Sequence, residues 1–196
     1  MPDLKKAELI EGVVYMGSPV SHQHAEPHLV LGYWLMSYVA GTPGLMFSDN
    51  GTLLLDLDNE PQPDLLLCIP RSAGGACRLT DQGYLEGPPE LTIEVAVSSK
   101  SYDLHQKFGA YRRNGVKEYL VLRVADGEVD WFVLEAGTYV RQQPDGFGIL
   151  KSRVFPGLWL DVGALLAGDL RALREGVERG LHDPAHGEFL ARLDLR

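Results

Sequence analysis

Cysteine is scarce in this chain. Only Cys68 and Cys77 occur in 196 residues. Two thiols cannot make a disulfide framework, and they fall short of a four-ligand cysteine metal site. Cys68 lies in an apolar run and Cys77 in a glycine-rich stretch. Both read as free thiols of a reducing cytoplasm. Long apolar runs are missing too. None reaches the ~18 residues of a membrane span, so no membrane partner is expected. The opening MPDLKKAELIEG lacks the apolar segment of a secretory signal. Basic residues are outnumbered, 18 against 27 acidic, for a net charge of −9. That balance argues against a protein that coats nucleic acid nonspecifically. Internal repeats and low-complexity tracts are absent.

What is present is ordinary globular composition, 45% hydrophobic and 23% charged. The length fits one principal domain. The order of patterns is strands, a long helix, strands, a strand and helix, then more strands. It implies an α+β fold, a mixed α/β arrangement built on one curved mixed sheet flanked by helices.

ELIEGVVYM at 8–16 reads as two short strands joined at Glu11-Gly12, and Ser18-Pro19 breaks the pattern. Helical spacing runs from about residue 21 to 40 through Leu29, Tyr33, Leu35, Met36 and Val39, with Pro27 expected near the helix start. Residues 53–57 and 64–69 are strand candidates, separated by the turn Asp58-Asn59-Glu60-Pro61. Residues 70–90 read as one long loop. Residues 118–124 and 129–134 form a hairpin about Asp126-Gly127, and 138–141 adds a strand. Residues 161–196 look helical, broken near Asp183-Pro184, with an apolar surface that offers a homodimer interface.

The informative stretch is LTIEVAVSSKSYDLHQKFGAY, residues 91–111. Leu91, Ile93, Val95 and Val97 alternate with Thr92, Glu94 and Ala96, which places a carboxylate inside an apolar strand. The next segment is helical, with Asp103 and Gln106 spaced as a capping box. Leu104, Lys107, Phe108 and Tyr111 share one side of it. The lysine can therefore meet the carboxylate over the strand end. Asp64 opens another apolar strand, in Pro61-Gln62-Pro63-Asp64. Two carboxylates on adjacent strands suit a hard dication such as Mg²⁺, and a nearby ammonium stabilises charge on a phosphoryl group. Each residue also has a plainer reading: Asp64 as a turn cap, Glu94 as an ion pair with Lys107, Lys107 as a snorkelling side chain. Residues 98–117 carry Lys100, Lys107, Arg112, Arg113 and Lys117 against Asp103 alone. This basic island can meet an anion. His24 and His28 have the i, i+4 spacing of a helical zinc pair, but the sequence offers no evident third ligand, and a polar helix entry is the preferred reading.

Taken in order, ELIEGVVYM, Ser18-Pro19 with His22-Gln23, PQPDLLL at 61–67, ELTIEVAVSSKSYDLHQK at 90–107, Tyr111 and GVKEYLVL at 115–122 resemble the PD-(D/E)XK nuclease superfamily. More closely, they resemble its Uma-two family of restriction-endonuclease-like proteins. The resemblance spans about residues 8–165. It implies a restriction-endonuclease-like domain over 1–165, with 166–196 as a helical extension. By position Asp64 and Glu94 correspond to the two acidic residues of the motif. The superfamily lysine would stand at 96, where this chain has alanine, and Lys107 resembles its migrated replacement. Implied with them are Mg²⁺ or Mn²⁺ held by Asp64, Glu94 and the Val95 carbonyl. Auxiliary roles fall to Glu11, His22, Gln23 and Tyr111, and nucleic-acid contacts to Lys100, Arg112 and Arg113. The implied activity is phosphodiester hydrolysis of DNA, with RNA as an alternative substrate. A non-catalytic binding or regulatory module on the same fold is the alternative function. Cutting two strands would favour a homodimer.

Overall fold

The computed structural model describes residues 7–17, 19–97 and 102–194, and of residues 102–105 and 194 the backbone alone. Expectations for Ser18, Ser98, Ser99 and Lys100, and for the side chains of Asp103 and Leu104, lie outside the described residues. The chain opens with β1 (Ala7–Ile10) and β2 (Val13–Met16), an antiparallel hairpin. Its turn residues Glu11 and Gly12 both have positive φ, the conformation that tight two-residue hairpins require.

Helix α1 (His22–Ala40) follows. It starts five residues before Pro27, earlier than the proline led one to expect. The missing amide of Pro27 deprives the Gln23 carbonyl of a helical donor, but Gln23 is exposed to solvent. The buried face of α1 carries Leu31, Trp34, Leu35 and Tyr38, while Leu29 and Met36 are exposed. Apolar residues surround this helix, so their spacing alone did not fix which side faces inward.

Next come β3 (Met46–Asp49), β4 (Leu53–Leu54) and β5 (Leu65–Cys68). The stretch 70–90 is not structureless. It holds a 3₁₀ turn at Arg71–Ala73, β6 (Arg78–Leu79) and β7 (Leu85–Glu86), and β6 and β7 build a small sheet with β4. Strand β8 (Leu91–Ala96), helix α2 (Tyr102–Asn114) and β9 (Glu118–Arg123) make a parallel crossover in the main sheet. Antiparallel pairing then carries β10 (Glu128–Glu135) and β11 (Thr138–Arg141) outward. The main sheet is six-stranded, in the order β11-β10-β9-β8-β5-β3. The pair β12 (Ile149–Lys151) and β13 (Trp159–Asp161) precedes α3 (Val162–Ala167), α4 (Leu170–Leu181) and α5 (Pro184–Asp194).

Strand alternation sorts the core into two layers. Leu91, Ile93, Val95, Leu120 and Leu122 pack with the α1 side chains Leu31, Trp34, Leu35 and Tyr38. Ala96, Tyr119, Val121 and Tyr139 pack on the opposite face with Tyr111 and Phe108 of α2. The C-terminal helices join the first layer, because Leu173, Val177 and Phe189 belong to the same buried cluster as α1. The apolar face of α4 is thus covered by its own chain. Leu166 and Leu170 stay exposed, but the surface expected to serve as a dimer interface is mostly internal. Among the described residues no helix is long and apolar enough to cross a membrane.

Candidate active site

Strand register brings the two carboxylates together. In the β5/β8 pair Leu65 faces Ile93, so one further step sets Asp64 across from Glu94. Pro63 stands immediately before Asp64 and holds Gln62 in extended backbone. The Asp64 Oδ2 accepts the Val95 amide at 2.7 Å. Its Oδ1 lies 3.2 Å from His24 Nε2. The carboxylate is thereby pinned between β8 and the first turns of α1.

Glu94 points to the layer of α2. Lys107 and Tyr111 stand one turn apart on α2, and both reach it. The Lys107 ammonium donates to Oε1 at 3.0 Å and to Oε2 at 3.1 Å. The Tyr111 hydroxyl donates to Oε1 at 2.8 Å. A third carboxylate completes the cluster, for Lys107 Nζ lies 2.8 Å from Glu8 Oε1. The Gln62 amide donates to that same Glu8 oxygen at 2.6 Å. The hairpin, the β5 entry, β8 and α2 are all tied at one point.

Electrostatics follow from two acids on one ammonium, with Asp64 acting on Glu94 from the neighbouring strand. Burial pushes the Glu94 carboxyl up to about 8; Asp64 and Glu8 add to this, against the opposing pull of Lys107 and Tyr111. Burial disfavours the charged Lys107, but Glu94 and Glu8 outweigh it and hold its pKa above the ordinary value. Burial likewise raises Asp64, but hydrogen bonds from His24 and the Val95 amide, with the charges of His24 and His28, leave it below the usual carboxylate range. Burial beside Glu94 raises Tyr111 well above its ordinary value, so its hydroxyl keeps its proton. Such a site has surplus negative charge and hard oxygen donors, which fits a divalent cation.

Not every residue singled out from the sequence comes to this place. Glu11 sits on the hairpin turn, ion-paired to Arg113, with its amide bonded to Asn59 Oδ1 at 2.9 Å. His22 is exposed and pairs with Glu26 at 3.3 Å, and Gln23 is exposed as well. His24 is the helix residue that faces Asp64, and His22 lies about 200° around the helix from it. Arg112 donates to the Gly137 carbonyl at 3.1 Å. Glu8, His24 and His28 are the residues that sequence reasoning left out of the site. A signal existed for Glu8, which shares its strand face with Ile10, a buried residue.

A solved structure described as a putative nuclease belonging to DUF820, from Anabaena variabilis ATCC 29413, matches with a TM-score of 0.65. The two are 15% identical, and the match covers 82% of this chain and 89% of that one. The chain belongs to the Uma2 family, "Putative restriction endonuclease", whose sequence model matches residues 1–163. No curated protein matches the chain.

Proposed function

We propose that this chain is a metal-dependent endonuclease that hydrolyses phosphodiester bonds of DNA, with Asp64, Glu94 and Lys107 as its catalytic residues. The observation that carries this reading is the buried ammonium of Lys107 on the Glu94 carboxylate, one strand position from the anchor of Asp64. Asp64, Glu94 and the Val95 carbonyl would hold Mg²⁺ or Mn²⁺. When bound, such an ion neutralises phosphate charge and acidifies a water molecule. Lys107 keeps its proton and offers hydrogen bonds to negative charge that develops on the phosphoryl group. Tyr111 and Glu8 orient Glu94 and Lys107. The location is taken as cytoplasmic, where DNA is at hand.

The direct test is cleavage of supercoiled and linear DNA, and of RNA, with Mg²⁺, with Mn²⁺ and with chelator. Metal-dependent nicking lost in Glu94→Gln supports the reading. Nucleic-acid binding without cleavage under every metal condition supports the alternative, a non-catalytic binding module. That alternative has one observation in its favour: the Lys107 ammonium is shared between Glu8 and Glu94, and the strand position two beyond Glu94 is Ala96.

The pH dependence has a defined sign. Glu94 titrates near 8 in the metal-free protein, so below that pH an incoming ion must displace a proton. Mg²⁺ affinity is expected to rise about tenfold per pH unit from 6 to 8 and then level off. Calorimetric titrations at pH 6, 7, 8 and 9 check this, and a flat profile contradicts it.

Docking of DNA is assigned to the end of α2. Arg112→Ala with Arg113→Ala should weaken binding across all sequences and reduce the salt slope by about two, with Mg²⁺ affinity unchanged. Fluorescence anisotropy at several salt concentrations measures the slope. An unaltered slope removes this surface from the proposal.

A further inference from the structure

A second set of ligating side chains, from α1, converges on Asp64. His24 and His28 stand one turn apart on α1, with ring centroids 5.7 Å apart and planes at 88°. The His28 Nε2 atom is buried and makes no hydrogen bond; its acidic neighbour is Asp49, with Oδ1 at 3.4 Å. One ligand atom each from His24, His28 and Asp64 lies within 4.8 Å of the other two. No other three-residue group of histidines, cysteines and acids meets that distance among the described residues.

The arrangement has the marks of a built site. The Val95 amide holds Asp64 by Oδ2, which leaves Oδ1 turned toward the helix. An anchored carboxylate is how metal ligands are commonly oriented. The helical spacing stacks both imidazoles on one face. Asp64 is the third ligand, and it lies forty residues away in the chain.

We propose that His24, His28 and Asp64 bind a late first-row transition-metal dication of the zinc class, at a position separate from the hard-metal position assigned above to Asp64 and Glu94. Imidazole nitrogens favour zinc, cobalt and their neighbours over magnesium, which prefers oxygen. Two imidazoles and one carboxylate leave a coordination position open for water or a ligand. Asp49, exposed at the rim, lies 3.4 Å from His28 Nε2 and adds negative charge beside the site. The site does not depend on the nuclease reading, although it shares Asp64 with it.

The test uses the full chain, freed of metal by dialysis against chelator, with Co²⁺ as the probe. One equivalent of Co²⁺ should give a visible d–d band. Zn²⁺ should abolish that band, and Mg²⁺ in excess should leave it. His24→Ala and His28→Ala should each weaken Co²⁺ binding by about tenfold or more, with the exposed His22→Ala close to wild type. A variant that fails to fold is replaced by NMR of the wild-type protein. There, Co²⁺ should broaden the ring resonances of His24 and His28 and spare those of the exposed His182. Absence of the band, displacement by Mg²⁺, or unbroadened His24 and His28 rings overturns the proposal. So does a band that survives in both histidine variants and disappears in Glu94→Gln, because the ion then sits at the nuclease centre. A wild-type protein that shows the band and cuts no nucleic acid keeps this site and defeats the nuclease reading.

Discussion

Lys107→Met is expected to lower metal-dependent hydrolysis by a factor on the order of 10² or more, since an electrostatic donor in a water-poor site is worth several kcal/mol. The structure adds a second effect. Lys107 is 4% exposed and is the ammonium between Glu8 and Glu94. Removing it leaves the buried Glu94 and the half-buried Glu8 without their cation, at a cost of about 3–5 kcal/mol in stability. In a chain of this size that is a drop of roughly 10 °C in Tm. The two effects separate in a double variant. Lys107→Met with Glu94→Gln removes both charges of the more deeply buried pair, so it should recover part of the stability and none of the activity. Assays run well below the lower Tm, together with thermal melts of all three variants, decide the matter. Full activity in Lys107→Met would exclude a catalytic lysine. Moving the lysine to position 96 is not expected to rescue it. Ala96 is buried against Tyr111, Val116, Tyr119 and Val121, where a longer side chain overpacks the layer.

Asp64→Asn should cost activity without costing the fold. An asparagine can keep its amide oxygen on the Val95 N–H and turn its nitrogen to His24, so the stability change should stay near 1 kcal/mol. Hydrolysis is expected to fall by a factor on the order of 10² to 10³, because the amide gives the ion a weaker, uncharged ligand. A second readout follows from the charge balance. Asp64 is one of the groups that raise the Glu94 carboxyl, so neutralising it should let that carboxyl move down from about 8. The Glu94 carboxyl resonance, followed by ¹³C NMR across pH 5–9 in both proteins, reports the change directly. If the titration is unmoved, the two acids are not electrostatically coupled and the shared-ion reading fails.

Local pattern carried much of this architecture. The alternation of 91–97 placed Glu94 on the same layer as Ala96, and helical spacing turned Lys107 and Tyr111 toward it; both dispositions appear in the packed layers. The hairpins at Glu11-Gly12 and Asp126-Gly127 were legible because their turn chemistry is local. Strand β3 was not. It is a short edge strand with Met46 and Ser48 half-buried and Phe47 exposed, so its alternation carries little signal. The strands within 70–90 are two residues each, below any periodicity. The site was half legible for a different reason. The α2 residues that meet Glu94 lie on one helix soon after it, whereas Glu8 and the two histidines reach the cluster only through tertiary packing. A pair of histidines four apart was visible, but its acidic partner could not be seen without the fold.

The contact between Glu8 and Lys107 has a consequence for how the centre comes into being. It joins the first described strand to a helix that begins after the middle of the chain. No contiguous fragment that lacks either end can assemble it. A chain emerging from the ribosome therefore carries its ammonium and its acids as separate, unorganised groups until α2 has been made and the hairpin has docked beside it. Contacts so distant in sequence form late because loop closure must come first. The nuclease proposed above would thus gain its centre only in the later part of its own synthesis.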